Sequence, residues 1–231
     1  MPAQPPRIGE LHARDLRQRL GLDECARIPD VVMTIEQTGV PVFLTPLPNG
    51  ISGLANRLNG RWYVVADTNG ASAGRLRFTL AHELGHIAMG HTPSIDDQTT
   101  LNLQSGKHDQ EVEANFFAAE FLVPRNAIED GYRAAGHPTD RDAQLAFILE
   151  AARTFGTTRW VPYYRLKTLD LLDTVSFTVL RTRLQDCSDL DADDRDVAAQ
   201  VAGSGATRMP AGHRERLVRL SQLDADEDDP R

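Results

Sequence analysis

His82, Glu83 and His86 stand in the order H-E-x-x-H within Arg77–His86, R-F-T-L-A-H-E-L-G-H. On a helix, residues four apart project from one face. Two imidazoles so placed can hold one zinc ion, and Glu83 can then reach the water that such an ion activates. The chemistry this favours is metal-assisted hydrolysis of a peptide bond. Ala81, Leu84, Ile87 and Ala88 put apolar side chains at helical spacing around the motif, so the helix is expected to be buried. Two histidines and a glutamate on a buried helix need partners, and a metal with its water supplies them for all three.

A catalytic zinc takes three protein ligands and keeps one position open. The extended form H-E-x-x-H-x-x-G-x-x-H would require a glycine and a histidine where this chain has Met89 and Thr92. Gly90 reads instead as a helix C-cap, and His91 and His108 read as surface histidines. The third ligand is therefore sought on a second helix, Asp109–Pro124, rich in helix formers and ended by proline. Glu111 and Glu113 are the candidates, about 200° apart around the helix, so they cannot both face one ion. Asn115 lies one turn beyond Glu111 and could hold a ligand histidine by its second ring nitrogen. Glu113 has Phe116 and Phe117 at i+3 and i+4, and a carboxylate among aromatic rings requires a strong partner. Glu113 is favoured on that ground, with Glu111 as the alternative.

Together, Arg77–His86 and Glu111–Pro124 (E-V-E-A-N-F-F-A-A-E-F-L-V-P) resemble the ImmA/IrrE family of zinc metallopeptidases. Ile51-Ser52-Gly53 and Trp62-Tyr63-Val64-Val65 are similar to that family's short strands, and Phe121 departs from its usual leucine. The resemblance covers roughly residues 30 to 185. It implies a gluzincin-like core with His82, His86 and Glu113 as Zn2+ ligands and Glu83 as catalytic base. It also implies a protein substrate, a helix-turn-helix (XRE-type) transcriptional repressor. Its cleavage would release stress-response, DNA-damage-response or mobile-element genes. The alternative is a binding module that sequesters the repressor, with zinc in a structural role. Tyr163, Tyr164 and Arg77 are candidates for stabilising the oxyanion.

These residues need an α+β fold: a small, mostly antiparallel sheet packed on the metal-bearing helices, followed by a helical region. Four segments are expected: an N-terminal helical arm (1–29), a metallopeptidase core (30–125), a helix-turn-helix-like region (126–184) and an acidic tail (185–231). Helices are read at His12–Leu20, Pro29–Gln37, Ser72–Met89, Asn126–Ala135, Asp140–Thr154 and Trp160–Leu172. Strands are read at Val40–Thr45, Ile51–Asn56 and Arg61–Ala66. Either of the last two could be the edge that receives a substrate backbone. Thr92–Lys107 is polar and aperiodic and reads as a surface loop. Phe177–Leu184 is compatible with strand or helix, and Gly212–Leu223 with a detached amphipathic helix.

With 41% hydrophobic residues, the 231-residue chain can build a folded core. Its net charge is −8, with acid concentrated at Asp186–Asp196 and Asp224–Asp229. That balance opposes non-specific nucleic-acid binding, which depends on phosphate contacts. Pro162 near the start of Trp160–Leu172 also speaks against a DNA-reading helix there. No apolar run approaches a membrane span, no signal pattern opens the chain, and Cys25 and Cys187 read as reduced thiols, so the expected compartment is the cytoplasm.

Overall fold

The computed structural model describes residues 7–48, 50–69, 71–91, 94–97 and 107–187. The acidic tail and the amphipathic segment 212–223 lie outside these residues.

The chain runs α1 (Ile8–Arg19), α2 (Val31–Glu36), β1 (Val42–Thr45), β2 (Ile51–Leu58), β3 (Arg61–Asp67), α3 (Ala73–Met89), β4 (Ser94–Asp97), α4 (Lys107–Leu122), α5 (Arg125–Ala134), α6 (Arg141–Phe155), α7 (Trp160–Thr168) and α8 (Thr174–Asp186). The four strands form one sheet in the order β1-β3-β2-β4. β1 pairs parallel to β3, and the other two pairings are antiparallel. The fold is α+β, as the sequence implied.

Strand alternation divides the sheet into two faces. Val42, Ala55, Val64 and Ala66 join the main core. Leu54, Tyr63 and Val65 form a small separate cluster. α3 lies against β2 and β3 and also against α4. Gly85 makes that helix pairing close, since a Cβ there would stand 3.0 Å from the Phe117 ring. α3 begins at Ser72, whose side chain accepts from Arg75 N–H at 3.3 Å. It ends at Gly90 in the left-handed conformation, φ 70°.

Several elements differ from expectation. α1 starts a full turn earlier than His12, because Glu10 accepts from Arg7 N–H at 2.9 Å and closes the first turn. Ser94–Asp97 is a strand, not part of a loop. One β-former in Ser-Ile-Asp-Asp gives no local signal, and the ladder to β2 provides the structure. β2 and β3 are both interior, so neither is the edge proposed for substrate; among the described residues the outer strands are β1 and β4. α7 stops at Thr168, and Asp170 takes a positive φ of 55°. Asp173 then caps α8 by accepting from Val175 and Ser176 N–H, so Phe177–Leu184 is helical. Pro162 falls in the first turn of α7, where a missing N–H costs nothing.

A buried ion network fastens the helices around α4. The Arg165 guanidinium on α7 donates to Glu10 of α1 at 2.5 Å and to Glu120 of α4. Glu120 also accepts from Arg14 Nε at 2.8 Å. Arg165, Glu10 and Glu120 are each at most 2% exposed. Burial raises the Glu10 carboxyl, but Arg165, together with Arg7 N–H and Arg125, overrules it and leaves the group below the usual range. Arg159 is likewise buried and donates to the Leu184 carbonyl at 2.8 Å. Arg159 and Arg165, both in the helix-turn-helix-like region, are thus engaged inside the fold.

Candidate metal centre

α3 turns His82, Glu83 and His86 inward; they are 6%, 1% and 2% exposed. The two histidines are one turn apart, and their Nε2 atoms stand 3.0 Å from each other. α4, held close by Gly85 and Phe117, brings a carboxylate to the same point. Glu111 Oε2 lies 3.0 Å from His82 Nε2, and Glu111 Oε1 lies 3.5 Å from His86 Nε2. Tetrahedral ligands at about 2.0–2.1 Å from a zinc ion are separated by roughly 3.3 Å. The observed spacings bracket that value. The three side chains also form a group able to hold a metal, with ligand atoms within 4.8 Å of one another. Two nitrogens and one oxygen are a donor set that zinc accepts. Burial raises the Glu111 carboxyl, yet hydrogen bonds from both imidazoles and their charge hold it down at about 2. It is therefore ionised at neutral pH, as a ligand must be.

The ring of His82 is fixed from behind. Its Nδ1 lies 3.1 Å from Asn115 Oδ1, one turn beyond Glu111 on α4. Asn115 was expected in that role, and it faces the same way as Glu111 because i and i+4 share a helix face.

Glu113 is not at this cluster, and the preference for it is corrected. Its carboxylate accepts from Gly9 N–H at 2.6 Å, at the start of α1. The argument that Glu113 needs a strong partner is sound, but the partner is a helix N-terminus with a free amide and a positive dipole end. Gly9 permits this, since a Cβ there would collide with the Glu113 carbonyl. Phe116 is covered instead by the Arg7 guanidinium, 4.3 Å from the ring centroid.

Glu83 points toward β2, where Gly53 sits against it. A Cβ on Gly53 would lie 2.5 Å from Thr79 Cγ2 and 3.0 Å from Glu83 Oε1. β2 is thus the interior strand next to Glu83, and its outer neighbour β4 is the sheet edge on that side. β2 is bulged between Ile51 and Gly53, opposite Asp97 and Asp96 of β4.

The oxyanion candidates are placed otherwise. Arg77, 2% exposed, donates to the carbonyls of Ile28, Pro29 and Phe155 and ties three segments together. The Tyr163 hydroxyl donates to the Phe177 carbonyl at 2.8 Å, and burial pushes it up to about 12. Tyr164 is exposed and packs against Trp160 and Phe177. His91, read as a surface residue, is partly buried against His86, and burial together with His86 lowers it to about 4.

Residues 35–167, more than half of the chain, match the peptidase M78 family, described as the IrrE N-terminal-like domain. The chain belongs to this family. The match includes the whole sheet, α3 with its H-E-x-x-H, and α4 with Glu111 and Asn115; α1 and α8 lie outside it. A search among curated proteins finds no match. Membership in a peptidase family agrees with the chemistry that the cluster offers.

Proposed function

We propose that the protein is a zinc-dependent endopeptidase acting on a helix-turn-helix transcriptional repressor. The observation that carries the enzymatic part is the convergence of His82, His86 and Glu111 beside Glu83. Three ligand atoms are set at tetrahedral spacing, and the site's second acid, Glu83, stands on the helix that carries both histidines. His82, His86 and Glu111 would hold the ion. When bound, it would act as a Lewis acid and make water a nucleophile near neutral pH.

The remaining steps belong to the chain. Glu83 accepts a proton from the attacking water and delivers it to the leaving amine. Its burial against Gly53 keeps the carboxylate from wandering between those two tasks. Among the described residues β4 is the outermost strand beside β2, the strand that faces Glu83, and an extended substrate backbone can add there by main-chain hydrogen bonds. An edge of this kind suits a segment drawn out of a partner protein.

The repressor as substrate is supported by the resemblance of both motif blocks to the ImmA/IrrE family and by membership in the M78 family. Its cleavage would release stress-response, DNA-damage-response or mobile-element genes. Such a target places the reaction in the cytoplasm. Among the described residues no helix is long and apolar enough to cross a membrane. The test incubates candidate helix-turn-helix repressors from the same genome with wild type and Glu83→Gln, with and without chelator. Cleavage that disappears in the variant and in chelator supports the reading. Stable co-elution with both forms and no cleavage would replace it with sequestration.

A further inference from the structure

The chain doubles back over the metal-bearing helix immediately after Gly90. Gly90 N–H bonds the Ile87 carbonyl at 3.2 Å, and His91 N–H bonds the His86 carbonyl at 2.9 Å. These are the paired bonds of a Schellman ending, which the left-handed glycine allows. The result is to set the His91 ring on the back of His86. Their Nδ1 atoms are 3.0 Å apart, with ring centroids at 5.0 Å and planes at 70°.

Two ring nitrogens at that distance share one proton. His86 faces the cluster with Nε2; once that nitrogen holds a metal its lone pair would be committed there, and the ring proton would belong on Nδ1. His86 therefore donates and His91 Nδ1 accepts. His91 then carries its own proton on Nε2. The arrangement parallels the other histidine, where Asn115 Oδ1 accepts from His82 Nδ1.

We propose that His91 is a positioning residue of the metal centre: it accepts the His86 Nδ1 proton and so fixes the ring rotation and tautomer of that ligand. The proposal rests on the reading of His82, His86 and Glu111 as ligands. His91 acts through His86 and has no task in the chemistry itself. Its acceptor is a neutral nitrogen, so it orients the ligand without adding negative charge behind the ion. Partners of this kind change metal affinity by roughly 10- to 100-fold when removed.

The test measures zinc affinity of the full chain by competition with a chromophoric chelator. Wild type is compared with His91→Leu, which fills space without an acceptor, and His91→Asn, whose Oδ1 falls near the position of the lost Nδ1. Thermal melts of the metal-free proteins register any loss of packing. The expected result is roughly 10- to 100-fold weaker zinc binding by His91→Leu and recovery toward wild type by His91→Asn. Equal affinity of His91→Leu and wild type would overturn the proposal. So would equal losses in both variants, which would assign His91 to packing alone. Failure of wild type itself to bind zinc would remove the metal reading, and the positioning role with it.

Discussion

Gly53→Ala should damage the site while leaving its ligands untouched. The added methyl would stand 2.5 Å from Thr79 Cγ2 and 3.0 Å from Glu83 Oε1. Carbon atoms in contact prefer about 3.5–4.0 Å, so the strand or the helix must move by roughly 1 Å. Val65 O, 3.2 Å from the same point on the neighbouring strand, blocks retreat in that direction. Overpacking of this kind costs about 1–3 kcal/mol. A displacement near 1 Å at a reacting group costs on the order of 100-fold in rate. Urea denaturation would read the first effect and turnover of a cleaved repressor the second, with bound zinc measured in parallel. Thr79→Ser removes the methyl that makes the shortest contact. The double variant should therefore recover much of the lost stability, a coupling of about 1 kcal/mol or more in a double-mutant cycle. The reasoning is refuted if Gly53→Ala is as stable and as active as wild type, or if Thr79→Ser fails to relieve it.

Other consequences are independent of catalysis. Arg165→Met leaves Glu10 and Glu120 buried with reduced compensation and should destabilise by about 3–5 kcal/mol, nearer the lower end because Arg14 and Arg125 remain as partners. The folded Glu10 carboxyl lies below its ordinary value of 4.5, so its stabilisation is complete above that value and is lost as pH falls through the folded one. The stability gap between wild type and Arg165→Met should then narrow as denaturation is repeated from pH 7 toward pH 3; a gap independent of pH would contradict the assignment. Glu113→Gln weakens a charged acceptor at the start of α1 and should lower stability by about 1–3 kcal/mol in chemical denaturation. Its bound zinc should be unaffected.

The sequence made most of the site readable because its signals are local. H-E-x-x-H fixes one helix face, Ser72 and Gly90 fix the ends of that helix, and Asn115 lies one turn from the carboxylate it accompanies. The choice between Glu111 and Glu113 turned on what else competes for a carboxylate, and the competitor, Gly9, is more than a hundred residues away. Separations of 49 and 78 residues likewise hid the role of Arg77, whose acceptors lie on two other segments. β4 escaped notice because Ser-Ile-Asp-Asp has no strand pattern apart from its pairing with β2. His91 reads as a surface histidine in the sequence; the signal for its placement is Gly90, whose left-handed conformation folds the next residue back toward its own helix and His86.

The central claim is that His82, His86 and Glu111 hold one metal ion next to Glu83. Zinc stoichiometry after dialysis, measured on wild type, Glu111→Gln and Glu113→Gln at equal protein concentration, tests it most directly. One equivalent in wild type and Glu113→Gln, with loss in Glu111→Gln, is the predicted result. Retention by Glu111→Gln with loss in Glu113→Gln would contradict it.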